Sequence, residues 1–206
     1  SILKSYENKK FKYFLAKKHT SLYAARNLAI SKAKGKFISF IDSDDTWETD
    51  KLKNQIKLFK EKDTAVVYGN SWIKREKTNK KKIFIKKKMK NGYIHNELIK
   101  SYNVGILTAI IKKKNLNKKN KVFDDKYNII GDFDLFIKLS KKYKFKVVQK
   151  PVATYRIHGE NLSILKKKLE IKEFENWYKK NNQILSFQNK KIIKNKITQL
   201  KFVNKK

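Results

Sequence analysis

Three carboxylates at the end of an apolar segment are the residues of this chain best suited to chemistry. Residues 37–41 read Phe-Ile-Ser-Phe-Ile, and Asp42, Ser43, Asp44 and Asp45 follow directly. The apolar run predicts a buried strand, and residues two apart on a strand face the same side. We therefore expect Asp42 and Asp44 to point together beyond the strand, where α/β sheets bind ligands. Clustered carboxylate oxygens suit Mg²⁺ or Mn²⁺, and such a cation suits a diphosphate.

Other polar groups lie near predicted helix starts or strand ends, and each allows a structural interpretation beside a chemical one. Asp132 is either a helix N-cap or a general base that takes a proton from a hydroxyl. Arg156 and His158 form either a surface loop or a lid that meets phosphate and metal. Arg26 is either an ion-pair partner of the aspartates or a nucleotide contact. Residues 42–45 could themselves be an acidic turn that caps the next helix.

Several enzyme classes find no support in the sequence. The chain has no cysteine, which excludes a disulfide framework and thiolate chemistry. It has no glycine-rich phosphate loop, no nucleophile-elbow triad and no zinc spacing of histidine and cysteine. No apolar stretch reaches the length that spans a bilayer.

The strong positive charge is less specific than it first looks. The net charge is +35 and the pI is about 10.1, which is typical of nucleic-acid binders. Of the 53 basic residues, however, only Arg26, Arg75 and Arg156 are arginines, whereas surfaces that recognise phosphate usually rely on arginine. The lysines are spread along the chain with many Asn and Ile, as an A/T-rich coding bias would produce. We therefore predict no specific nucleic-acid partner. A basic polyanion-binding protein, for nucleic acid or an anionic membrane, remains the alternative.

The elements that must position these residues alternate between strand and helix. Predicted strands span residues 11–15, 37–42, 65–70, 107–111 and 146–152. Predicted helices span residues 21–34, 49–62, 94–100 and 131–143. We expect Ser21 to cap the first helix, Gly35 to stop it, and the last strand to end near Pro151. A polar hairpin is predicted over residues 71–90. This order favours an α/β sandwich with a mostly parallel central sheet.

Four blocks of this sequence, taken together, resemble family 2 glycosyltransferases with the GT-A fold. The blocks are residues 21–27, 33–47, 131–136 and 155–163, and they occur in the order of that family. The resemblance implies a three-layer α/β sandwich over residues 1–163. It also implies an inverting transfer of a sugar from a nucleotide-diphosphate donor, most often a UDP-sugar, to an acceptor hydroxyl.

The resemblance also assigns roles to the polar residues. Asp132 matches the catalytic base. Asp44 is expected to be the main ligand of Mn²⁺ or Mg²⁺, with Asp42 nearer the ribose and diphosphate, Asp45 as second choice and His158 as a further ligand. Together the expected donor-binding residues are Arg26, Asp42, Asp44 and Arg156. The acceptor is a saccharide or a lipid-linked sugar in cell-surface polysaccharide or glycolipid synthesis, and acceptor choice is expected to lie in residues 71–103.

Two departures from the family pattern accompany the resemblance. Gly131 stands where the family usually has an acidic residue before the base. Family members also begin with a strand, a helix and a second strand that this chain lacks, so we expect a truncated enzyme with little activity as it stands. Residues 164–206 are predicted to form a lysine-rich amphipathic helical tail. The tail either packs on the catalytic domain or rests on the cytoplasmic face of a membrane through Trp177 and Tyr178.

Overall fold

The computed structural model describes residue 5 and residues 10–16, 19–116 and 121–204. These ranges form, in chain order, α1 (Leu22–Lys32), β1 (Phe37–Ser39), β2 (Thr46–Trp47), α2 (Lys51–Ile56), β3 (Thr64–Arg75), β4 (Lys81–Ile83), α3 (His95–Lys100), β5 (Ile110–Lys112), α4 (Gly131–Ser140), β6 (Lys144–Ile157), α5 (Leu162–Leu165), α6 (Lys167–Asn181) and α7 (Phe187–Val203). Short 3₁₀ turns connect several of them, including Lys57–Lys60 after α2 and Ile106–Thr108 before β5.

One mixed sheet organises the molecule. Its strand order is β1-β5-β3-β6-β2, and β4 pairs with the outer half of β3. The two longest strands, β3 and β6, are parallel neighbours, whereas the other pairs are antiparallel. It follows that β1, β3 and β6 run in one direction and that β2, β4 and β5 run in the other. The predicted α/β class is therefore confirmed, with the long strands parallel.

Helices cover both faces of this sheet and make it a three-layer structure. Val66 and Tyr68 of β3 face the large core cluster, which also takes in α1, α3, α4, α6 and α7. Val67, between them, faces the opposite side and packs with Phe59 and Ile110 in a small second cluster. This alternation is what a central strand buried on both faces requires.

Several predicted element boundaries are wrong. Residues 11–15 form no strand, and the strand predicted over residues 37–42 is only Phe37–Ser39. Ser21 does cap α1, since its hydroxyl accepts from the Ala24 N–H, but α1 ends at Lys32 before Gly35 is reached. The strand predicted to stop near Pro151 continues to Ile157, because the pairing register shifts there and a bulge tolerates a residue without an N–H.

The α2 helix buries a different face from the one its apolar residues predict. Leu52 and Ile56 are 50% and 37% exposed, whereas Lys51 and Gln55 are buried. Lys51 Nζ donates to Gln55 Oε1 at 2.6 Å, and Gln55 Nε2 donates to the backbone oxygen of Thr108 at 2.8 Å. Polar side chains thus link α2 to the turn before β5. Burial lowers the pKa of Lys51 to about 7.

The C-terminal helices pack on the sheet domain. Phe174, Trp177, Ile193 and Ile197 are buried in the same core cluster as α4. The interpretation in which Trp177 rests on a membrane is therefore wrong, because its side chain is inside the protein. No helix in the described part of the chain is long and apolar enough to cross a membrane. The division after residue 163 remains a prediction about chain organisation.

Candidate active site

The turn after β1 holds the acidic loop, residues 42–45, and a buried arginine fixes its first member. Arg26 Nη2 of α1 donates to both carboxylate oxygens of Asp42, at 2.8 and 3.1 Å. The Arg26 guanidinium also lies 5.5 Å from the ring centroids of Tyr23 and Phe40. Because Arg26 is only 7% exposed, its ion pair and the two rings hold Asp42 in one place.

The end of β6 and the segment that follows it contact the other members of the acidic loop. His158 Nε2 and Asp44 Oδ2 lie 2.8 Å apart, and the Arg156 N–H donates to Asp45 Oδ1 at 2.9 Å. Arg156 Nε also donates to the backbone oxygen of Asp44. Asn161 braces this segment by accepting from the His158 N–H at 2.6 Å. The structure therefore brings together residues more than 110 positions apart that were singled out separately in the sequence.

Asp45 is the most enclosed of the three aspartates. It is 8% exposed, and its pKa is raised to about 6, chiefly by burial and also by the nearby charges of Asp44 and Asp42. The hydrogen bond from the Arg156 N–H opposes this increase. Since one of its oxygens is already occupied, Asp45 is less available as a ligand than Asp44.

Asp132 lies in the first turn of α4, next to Arg26. Its Oδ1 accepts from the Phe133 N–H at 2.8 Å. Burial raises the pKa of Asp132, and the Phe133 N–H and the positive charge of Arg26 partly oppose that rise. The Tyr102 hydroxyl is close enough to lower the pKa of Asp132 as well, although it makes no hydrogen bond of good geometry with any described residue. A half-buried carboxylate whose pKa is raised is a better proton acceptor than an ordinary aspartate.

Tyr23 explains why glycine precedes Asp132. Its hydroxyl donates to the Ile129 backbone oxygen at 2.9 Å and accepts from the Asp132 N–H at 3.3 Å. A Cβ on Gly131 would lie 2.6 Å from the Tyr23 ring, well inside contact distance. At this position, where the resembling family usually has an acidic residue, the close Tyr23 ring leaves room only for glycine.

Two clefts meet at these carboxylates. The loop cleft, about 450 Å³, lies against the acidic loop and also includes Tyr23, Arg26, Asn128, Glu160 and Asn161. The sheet cleft, about 420 Å³, lies on the face formed by alternate residues of β3, with further lining from β4, β6 and the turn before β5. Asp42 and Asp132 line both clefts. Two molecules, one bound in each cleft, would therefore both lie against Asp42 and Asp132.

The groups available for a cation form a pair. No three His, Asp or Glu side chains in the described ranges converge as a metal site, but Asp44 Oδ2 and His158 Nε2 are close enough to bind one ion together. Mg²⁺ and Mn²⁺ are commonly held by one or two carboxylates, with phosphate and water in the remaining positions. The Asp44 carboxylate fits such an ion and lines the loop cleft, which leaves space for a phosphate. The His158 imidazole is a softer ligand and suits Mn²⁺ better than Mg²⁺.

Two residues that hold Asp132 were missed in the sequence. Tyr23 lies inside the block of residues 21–27 but has no charge that would attract notice. Glu173 of α6 accepts from three backbone N–H groups just before Asp132. Its position one turn before Trp177, on the buried face of α6, was the available signal.

Two proteins with similar sequences are described as glucosyltransferases. The chain is 36% identical over 93 residues to the UDP-Glc:alpha-D-GlcNAc-diphosphoundecaprenol beta-1,3-glucosyltransferase WfgD of Escherichia coli, covering 45% of this chain and 35% of that protein. It is 28% identical over 150 residues to WfaP of the same organism, an enzyme with the same description, covering 72% of this chain and 57% of that one. The chain thus spans less than two thirds of either relative.

A solved structure agrees on the fold. The S. aureus TarS 1–349 structure in complex with UDP-GlcNAc superposes with a TM-score of 0.59 and 18% sequence identity, covering 86% of this chain and 53% of that one. This likeness supports the GT-A fold. Residues 1–138, two thirds of the chain, match the family described as Glycosyl transferase family 2. The chain therefore belongs to glycosyl transferase family 2.

Proposed function

We propose that this chain is the catalytic part of an inverting glycosyltransferase that moves a sugar from a nucleotide-diphosphate donor to an acceptor hydroxyl. One observation carries the proposal: the loop cleft and the sheet cleft share Asp42 and the half-buried carboxylate of Asp132. A donor in one cleft and an acceptor in the other would meet at a proton acceptor.

The donor belongs in the loop cleft. Its diphosphate would lie near Asp44 and Arg156, while Asp42, held by Arg26, would face the ribose. Asp44 and His158 would hold Mg²⁺ or Mn²⁺, and a bound cation would offset the negative charge of the leaving diphosphate. Asp42 faces the same cleft but is already paired with Arg26, so it is a weaker candidate for a ligand. We propose a UDP-sugar, since one relative is named for UDP-Glc and TarS was solved with UDP-GlcNAc.

Asp132 would remove the proton from the acceptor hydroxyl. The acceptor oxygen then forms a bond to the anomeric carbon while the bond from that carbon to the diphosphate oxygen breaks on the opposite face, which inverts the configuration. The proton passes to the Asp132 carboxylate and the electron pair leaves with the diphosphate. Exclusion of water by burial strengthens the basicity that this step requires.

The sheet cleft suits the acceptor. Ile73, Phe84, Tyr155 and other mostly apolar side chains line it, and Arg75 and Lys82 add positive charge. Much of this lining comes from residues 71–103, the range predicted to govern acceptor choice. An apolar surface with cations fits a saccharide on a lipid diphosphate, the acceptor in the names of two relatives. We propose that the product belongs to a cell-surface polysaccharide or glycolipid, made at the inner face of the cytoplasmic membrane.

The extent of the chain bears on its activity. Since the chain spans 57% of WfaP and 53% of the TarS chain, we propose that a longer enzyme contains it and that residues 1–163 are the catalytic domain. The chain alone would then turn over slowly or not at all. The relatives give no support to the alternative of a polyanion-binding protein without catalysis.

Binding of UDP tests the donor site. We expect the longer enzyme to bind UDP by calorimetry with Mn²⁺ present, and to bind it at least tenfold more weakly after Asp44→Asn, since lost metal-site contacts cost roughly 10- to 100-fold. Asp50→Asn, at an exposed position outside both clefts, is the matched control. Binding that is independent of Mn²⁺ and unchanged in Asp44→Asn would contradict the proposal.

A further inference from the structure

A carboxylate from the C-terminal helices fastens the backbone just before Asp132. Glu173 of α6 accepts hydrogen bonds from the N–H groups of Asn128, Ile129 and Ile130, at 2.6, 2.9 and 3.1 Å. Glu173 is only 4% exposed. A buried carboxylate that receives three N–H bonds is a strong and directional anchor, because hydrogen bonds to charged groups are stronger than those between neutral groups.

The start of α4 needs such an anchor. The residue before α4 is Ile130, whose side chain provides no cap. The N–H groups at a helix start have no partner within the helix, and leaving them buried and unpaired is costly. Glu173 supplies the acceptor for the Ile130 N–H at the helix start, while the Asp132 N–H and the Phe133 N–H are taken by the Tyr23 hydroxyl and the Asp132 carboxylate. The other two bonds to Glu173 hold Asn128 and Ile129 before the helix, and its negative charge also suits the positive end of the helix dipole.

A second contact from the same face of α6 holds Asp134, two residues after Asp132. Trp177 Nε1 donates to Asp134 Oδ1 at 2.9 Å, and both side chains are buried. Trp177 lies one helical turn after Glu173, so the two project together. Residues on either side of Asp132 are therefore fixed by one helix of the predicted tail.

Tyr23 of α1 also holds the backbone around Asp132, in addition to Glu173 of α6. It binds the Ile129 oxygen and the Asp132 N–H, while Glu173 binds the Ile129 N–H. The peptide groups around Ile129 are thus held from α1 and from α6 at once. If α6 moved, Asp132 would lose one of the two supports that set its direction.

We infer that Glu173 is a positioning residue for Asp132 and that α6 is part of the catalytic unit. The inference rests on the proposed role of Asp132 as the base. Glu173 lines neither cleft and acts through the backbone of residues 128–130. Since Asn128 lines the loop cleft, the loss of Glu173 can also weaken donor binding, but it should lower kcat by more than it raises the donor KM, because small displacements of a reacting group can cost on the order of 100-fold.

The test compares Glu173→Gln with Glu175→Gln in the active enzyme that contains this chain. The glutamine keeps the size of Glu173 but can turn only one acceptor oxygen toward the three N–H groups. Glu175 is on the same helix and pairs with Lys201 at 2.6 Å instead, which makes it a matched control. The readouts are kcat, the KM for the donor, and hydrogen exchange of the amides of residues 128–130.

We expect Glu173→Gln to lower kcat about 10- to 100-fold, to raise the donor KM by a clearly smaller factor, and to speed exchange at residues 128–130 selectively. Glu175→Gln should change none of these. An unchanged kcat, or faster exchange spread evenly over the whole protein with kcat and KM altered together, would overturn the inference. If Glu173→Gln does not fold, Trp177→Phe tests the same support through Asp134, and an unaltered kcat there would count against it equally.

The failure of this inference and of the proposed function are separable. If Asp132→Asn keeps full activity, Asp132 is not the base, whatever Glu173 does. If Asp132→Asn is inactive while Glu173→Gln has normal kcat, the base stands and the positioning role fails.

Discussion

The acidic loop and the segment that carries Asp132 both present carboxylates to the same place, but their surroundings differ. In the loop, Asp42 and Asp44 face an open cleft and meet Arg26 and His158. Asp132, by contrast, is held in a drier setting by neutral groups, the Tyr23 hydroxyl and backbone N–H donors. The first environment favours charged ligands and the second favours proton transfer.

This difference separates two tasks of one reaction. An open carboxylate can hold a metal ion and a nearby arginine can attract phosphate, whereas a more buried carboxylate without a direct cation partner has a raised affinity for a proton. Changes in the loop should therefore alter donor binding first, and changes around Asp132 should alter the rate of transfer first. The following predictions test that separation.

Asp132→Asn should have the largest effect. The change keeps the shape and the bond from the Phe133 N–H but removes the proton acceptor, so transfer should fall by about 10²- to 10⁴-fold while UDP binding is retained. In the unaltered enzyme, kcat should rise with pH, because the ionised form is the active one and burial raises the pKa of Asp132. Steady-state rates of the unaltered enzyme, Asp132→Asn and the control Asp125→Asn over a pH series measure the loss of transfer and its dependence on pH.

Arg26→Lys should act on the loop instead. Lysine lacks the planar guanidinium that lies over the Tyr23 and Phe40 rings and so directs Nη2 at Asp42. We expect donor affinity to fall roughly tenfold, as for the loss of one charged hydrogen bond. Arg75→Lys changes another arginine, which lines the sheet cleft alone, and should leave UDP affinity unchanged. Calorimetric titration with UDP measures the donor affinity of both variants. Equal losses in both variants would count against separate clefts.

Gly131→Ala should weaken the support of Asp132. The new Cβ would lie 2.6 Å from the Tyr23 ring, and such overpacking costs about 1–3 kcal/mol, more than the helix propensity gained. Gly105→Ala is the control, since its Cβ would find no atom nearer than 3.9 Å. Urea unfolding of both variants gives the difference. A Gly131→Ala protein as stable as Gly105→Ala would show that Tyr23 can move away.

Lys51 should make stability depend on pH. Its folded pKa of about 7 lies below the ordinary value of 10.5, so between these values the unfolded chain binds a proton that the folded protein does not. The free energy of unfolding should therefore rise with pH, by about 1–2 kcal/mol between pH 7 and 9. Lys51→Met should remove this rise, and Lys53→Met, at an exposed position on the same helix, should keep it. Urea unfolding at the two pH values measures the slope.

The two regions also differ in how far the sequence predicts them. The acidic loop follows an apolar run and is visible from local pattern, as are Ser21 at the start of α1 and the hairpin of β3 and β4. The surroundings of Asp132 come from α1, the turn before β5 and α6, and no local pattern shows that Glu173 reaches Ile130. Lys51 was missed for the same reason, since only the fold reveals that the polar side of α2 faces inward.

The most direct test of the account is an experimental structure of the longer enzyme with UDP and an acceptor analogue. We predict that the diphosphate lies beside Asp44 and His158 and that the acceptor occupies the sheet cleft. Its reactive hydroxyl should lie about 2.6–3.2 Å from the Asp132 carboxylate. An acceptor hydroxyl far from Asp132, or a diphosphate bound away from the acidic loop, would contradict the division of labour between the two regions.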